Sequence, residues 1–171
     1  MLFQSAEESY QKGLSALSQG RRKEAMAMFE AAIELERRLG ASRPQARYLS
    51  HYGLCLALEK DEVHEALRFC REAVTLEGYN PDIRCNLGRV LIKAGRRKEA
   101  YANLAAGLGL ERDHRGIRRA LRFMGVRRRP VIPFLSRQNP INVILGRIRV
   151  APARNGSPPP EAKRLFLRAP R

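Results

Sequence analysis

The sequence predicts an all-α protein: three stacked helix-turn-helix repeats closed by a C-terminal capping helix. Three observations predict it. First, the chain repeats itself. Gly13, Ala25, Phe29 and Ala32 recur as Gly53, Ala66, Cys70 and Ala73, and again as Gly88, Ala100, Leu104 and Gly107. The last two intervals in each series are 4 and 3 residues, which puts the Ala, the large residue and the small one on a single helical face. Second, the turn text recurs: GRRKEA stands at 20–25 and at 95–100, with DEVHEA at 61–66 between them. Third, 44% of the 171 residues are apolar, yet Trp is absent and aromatics reach only 6%. A core of Leu, Ala, Ile and Val suits closely spaced helices better than a sheet sandwich.

In the first repeat, residues 6–45, Ser5 and Glu8 have the spacing of a capping box, and Gly20 marks the turn. This copy is 40 residues long, so its second helix is expected to run on through Arg38. Ser42 and Gln45 repeat the box ahead of the second copy, residues 46–80, with Pro44 between them. Asp61 is expected to cap that copy's second helix. In the third copy, residues 81–114, Asn80 can cap and Pro81 suits the first turn. That first helix runs through Leu87, Gly88 and Leu91 to Gly95, and the second carries Ala100, Leu104 and Leu108 on one face. The small residues have a steric task. Gly13, Gly53 and Gly88 are expected to face the regions of Ala25, Ala66 and Ala100, letting two antiparallel helices approach. Ala32, Ala73 and Gly107 would then admit the next unit. One such unit cannot bury its apolar face, so the copies stack. Gly107 and Gly109, each costing about 1 kcal/mol relative to Ala in a helix, hint at close contact with the next element or at a frayed helix.

A stacked array needs a terminal helix with one polar side. Residues 114–124 fit, with Ile117, Leu121 and Met124 as the apolar stripe and Arg115, Arg118, Arg119 and Arg122 pointing away. The repeat domain with its cap is therefore expected to span 1–125. A basic, hydrophobic extension comes next, over 126–150: Arg127, Arg128 and Arg129, an extended Pro130–Leu135, then a short amphipathic helix with Ile141, Ile144, Leu145 and Ile148. Residues 151–171, Pro-rich at 158–160, read as a disordered tail.

The Gly–Ala–large–small series resembles the tetratricopeptide repeat (TPR) family over residues 6–114, supported by Leu35, Leu76, Leu87, Leu91 and Leu110. The resemblance implies a right-handed superhelix whose concave groove, lined by the first helix of each pair, binds a partner peptide or helix. The lining would be Tyr10, Leu14, Leu17, His51, Leu54, Leu58, Cys85, Asn86, Arg89, Ile92 and Lys93. The family also includes grooves that clamp a chaperone's C-terminal carboxylate with Lys and Asn. Here Tyr10, Leu14, His51 and Asp82 stand at those places and Asn86 alone fits, so that ligand is not expected. A three-repeat protein of this length is also similar to bacterial type III secretion chaperones, which hold Pro-containing peptides in the groove, so a secretion-type chaperone is one alternative function. The extended Pro130–Leu135 is the sort of ligand such a groove accepts, so the tail is a candidate competitor for it.

Net charge is +16, unevenly spread. Residues 1–110 carry 17 basic and 14 acidic side chains; residues 111–171 carry 16 and 3. The expected function is a non-enzymatic adaptor or scaffold acting through protein partners. The alternative is association of the Arg-rich segment (Arg115, Arg118, Arg119, Arg122, Arg127, Arg128 and Arg129) with nucleic acid or an acidic membrane surface. No cofactor, metal or small-molecule substrate is expected. Three cysteines, with no C-x-x-C pair, argue against a disulfide scaffold and a zinc site. His51, His64 and His114 are scattered. The N-terminus lacks a cationic start followed by an apolar stretch, and no apolar run approaches the roughly 20 residues that span a bilayer. The expected setting is cytoplasmic, with peripheral membrane contact as an option.

Overall fold

A computed structural model describes residues 5–125 and residue 141. The extension and tail at 126–171, Ile141 apart, lie outside the described residues. Among the described residues there are seven helices and no strand: α1 Ala6–Ser18, α2 Arg22–Arg38, α3 Ala46–Glu59, α4 Val63–Leu76, α5 Pro81–Lys93, α6 Arg97–Leu110 and α7 Arg115–Met124. Each helix packs on the next, and α3 also touches α5. Hairpins α1–α2, α3–α4 and α5–α6 therefore stack in chain order, with α7 closing on both α5 and α6.

Local chemistry sets the ends. Ser5 accepts the Glu8 amide and Glu8 reaches back to the Ser5 amide, forming the expected box. Asn80 accepts the Asp82 amide at 3.0 Å with Pro81 in the first turn. Gly20 and Gly95 close their hairpins with φ of 79° and 73°, the left-handed region that glycine enters without steric cost. Helix α2 reaches Arg38 as its repeat length requires.

Two caps differ from expectation. The Ser42 box is not formed: Gln45 caps α3 without a side-chain bond, and its amide donates instead to Glu36 Oε2 at 2.7 Å. Nor does Asp61 cap α4. It sits at φ 59°, Glu62 takes the cap position, and the Asp61 carboxylate accepts from Lys93 Nζ at 2.9 Å. A longer-range partner wins each time.

The glycines work as predicted in kind: at Gly53 the neighbours are the expected Ala66 together with Cys70, while at Gly13 and Gly88 the partner is the large residue of the series. A Cβ on Gly13 would fall 2.6 Å from the Phe29 ring, and one on Gly88 would fall 2.4 Å from Leu104. At Gly53 the obstacles are the Ala66 carbonyl oxygen and Cys70 Sγ, both at 2.9 Å. The antiparallel helices thus approach where the large side chain of one lies flat on the bare backbone of the other. Phe29, Cys70 and Leu104 are fully buried there. Gly107 does admit the next element, seating Ile117 of α7, whereas Gly109 has open space around it.

Candidate functional site

The first helices, α1, α3 and α5, carry every residue expected to line the groove. Burial divides that set. Tyr10, Leu17, His51, Leu54, Cys85, Asn86 and Arg89 are buried, Leu14, Leu58 and Ile92 are half-buried, and Lys93 is the exposed member.

The buried polar members are tied down. His51 Nδ1 lies 2.9 Å from the Arg47 carbonyl, which can only accept, so the ring carries its proton on Nδ1. The Tyr10 hydroxyl is 3.4 Å from the same nitrogen, and the Tyr10 and Phe29 rings lie 5.5 and 5.3 Å from the imidazole. At the rim, Glu7 accepts from Tyr48 at 2.9 Å and pairs with Arg47 at 2.7 Å. Asn86 donates to Ser50 Oγ at 3.0 Å. Lys93 pairs with Asp61, so that groove cation already has its carboxylate.

Burial pushes the His51 pKa below its ordinary value, with the Arg89 charge a lesser cause; the Arg47 carbonyl and the Asp82 carboxylate pull the other way. A buried neutral His binds fewer protons folded than unfolded. Its contribution to stability is whole above about pH 6.5 and is lost as pH falls below that value. Thermal unfolding of the wild type and of His51→Gln between neutral and mildly acid pH should show a steeper acid loss for the wild type.

The nucleophiles are not poised for chemistry. Burial raises the thiols of Cys55 and Cys70 to about 12 and that of Cys85 to about 11. Among the described residues no group of three His, Cys, Asp or Glu could hold a metal ion, and no helix is long and apolar enough to cross a membrane.

Two family models, each described as tetratricopeptide repeat, match residues 6–38 and 57–122. The chain belongs to the tetratricopeptide repeat family. The Arabidopsis OM64 TPR domain superimposes with a TM-score of 0.57 at 22% identity, covering 70% of this chain and 93% of that one. The structure of MamA AMB-1 gives a TM-score of 0.42 at 21% identity, over 69% of this chain and 79% of that one. No curated protein sequence matches the chain.

The TPR frame places the remaining predicted residues. Arg115, Arg118, Arg119 and Arg122 are exposed on α7, the capping helix, while Ile117 and Ala120 are fully buried beneath it. Arg127, Arg128 and Arg129 lie outside the described residues. Sequence reasoning missed His114. It caps α7, its Nδ1 accepting the Ile117 amide at 3.1 Å, while its Nε2 meets Asp82 Oδ1 of α5 at 2.9 Å. The hydrogen bond between them lowers the Asp82 pKa and raises that of His114. Its position immediately before the apolar stripe of α7 was the available signal.

Proposed function

We propose that this TPR protein is a non-enzymatic adaptor whose groove, lined by α1, α3 and α5, takes up a peptide or helix of a protein partner. TPR repeats indicate a role in protein–protein interaction, and one observation supports the groove as the place. Leu14, Leu58 and Ile92 stay half-buried on the helices that line it, although the rest of the predicted apolar lining is buried. Apolar side chains part-way out of water are what an incoming apolar side chain can finish burying, at about 25 cal/mol per Å².

The test is affinity capture from the native cell with full-length bait, comparing wild type with Leu14→Gln plus Leu58→Gln. Both changes keep side-chain length and helix propensity, and circular dichroism checks the fold. A protein retained by the wild type and lost by the variant supports the groove. The same proteins retained by both overturns it.

A further inference from the structure

We propose that Arg115, Arg119 and Arg122 of α7 form a docking strip for an acidic segment of the protein partner, laid beside the groove. The inference rests on the groove reading and names the chemistry of the segment that enters.

Helix α7 is held alongside α5. It starts where His114 meets Asp82, in the first turn of α5, and ends where Arg97, just beyond the α5–α6 turn, donates to the Met124 carbonyl. With Ile117 seated on Gly107 and Ala120 fully buried, its rotation is fixed. Arg115, Arg119 and Arg122 stand at i, i+4 and i+7, in one line about 10 Å long. All three are exposed.

Among the described residues Arg115, Arg119 and Arg122 form no ion pair, whereas several arginines of the repeats do. Helix α7 contains no acidic residue, and its ion pair among the described residues is Arg118 with Asp113 at 3.0 Å. Elsewhere Arg21 meets Glu24, Arg22 and Arg47 meet Glu59 and Glu7, and both Arg71 and Arg96 meet Glu99. Of the two groove cations, Arg89 is buried and the exposed Lys93 already pairs with Asp61. The strip nonetheless joins the groove: α7 packs on α5, and Ile92 of the groove packs against the cluster that holds Ile117 and Ala120 of α7. The Arg119 charge reaches Arg89, where it adds, behind burial and the Arg22 charge, to the lowering of that guanidinium's pKa.

Three kinds of polyanion meet arginine well: acidic polypeptides, nucleic acids and acidic lipid. The surroundings favour the first. A bilayer is flat, and the apolar stripe of α7 packs on the core, with Ile117 and Ala120 fully buried and Leu121, Phe123 and Met124 half-buried, which leaves little apolar surface to insert among acyl chains. A single-stranded nucleic acid gains affinity by stacking bases on aromatic rings, and the one aromatic of α7, Phe123, is half-buried. A polypeptide can place apolar side chains on Leu58 and Ile92 and carboxylates on the strip, where the guanidinium fork pairs them two bonds at a time.

The experiment uses the full-length protein and a labelled peptide alternating Glu with Leu. Labelled oligouridine and phosphatidylcholine vesicles with and without phosphatidylserine are the competing probes. Arg119→Glu with Arg122→Glu changes two exposed side chains and leaves the fold in place. The expected result is that the acidic peptide binds more tightly than oligouridine or acidic vesicles, and that the double variant weakens it about ten-fold or more. No binding of the peptide, unchanged affinity in the variant, or tighter binding of oligouridine or acidic vesicles overturns the proposal. If Leu14→Gln plus Leu58→Gln weakens the peptide while the arginine variant does not, the groove stands and the strip falls. If only the arginine variant weakens it, the groove reading falls, and with it the proposal that the acidic segment is laid beside an occupied groove.

Discussion

Replacing Phe29 by Ala is expected to cost about 3–5 kcal/mol, the usual range for truncating a buried aromatic. Phe29 is fully buried, and its ring occupies the place where Gly13 has no side chain. Tyr10 and His51 lie 5.7 and 5.3 Å from it, so one ring joins α1, α2 and α3. Removing it opens a void at the junction of the first two repeats. The neighbours cannot close it without moving a helix. Urea unfolding measures the loss as a lower midpoint. Leu39→Ala, at a residue 83% exposed, should shift the midpoint little and serves as the control.

Gly53→Val is expected to be the most damaging small-to-large change, at about 1–3 kcal/mol or more. At Gly13 and Gly88 the obstacle to a Cβ is a side chain. At Gly53 it includes the Ala66 carbonyl oxygen, part of the α4 ladder, which cannot rotate away. The hairpin α3–α4 must part or the helix must bend. Gly109→Ala should do the reverse. Nothing lies within 4 Å of the added carbon, so the helix gains about 1 kcal/mol of propensity without a clash. Paired denaturation curves for the two variants, moving in opposite directions, would separate steric fit from helix propensity.

The fold was largely legible because its main constraint is local in sequence. Two helices can touch closely only where one lacks a side chain, and that requirement leaves Gly13, Gly53 and Gly88 at matching places. The Ser5 and Asn80 caps were legible for the same reason, since their bonds span three and two residues. The misses were non-local. Asp61 finds Lys93 and His114 finds Asp82, each across 32 residues, while the Gln45 amide finds Glu36. Such partners are set by how one repeat lies on the next, which no window of sequence contains. The site shows the same division. The family resemblance assigned the lining to α1, α3 and α5, but burial separates Leu14, Leu58 and Ile92 from Leu17 and Leu54, and burial depends on neighbours remote in the chain.

Stacking through a bare backbone under a large side chain is tested most directly by a double-mutant cycle of Gly13→Ala and Phe29→Ala, read by urea unfolding. A new methyl at Gly13 should destabilise the wild type and be neutral or stabilising once the ring is gone, with a coupling of about 0.5–3 kcal/mol. Two effects that simply add, within about 0.5 kcal/mol, would contradict the account.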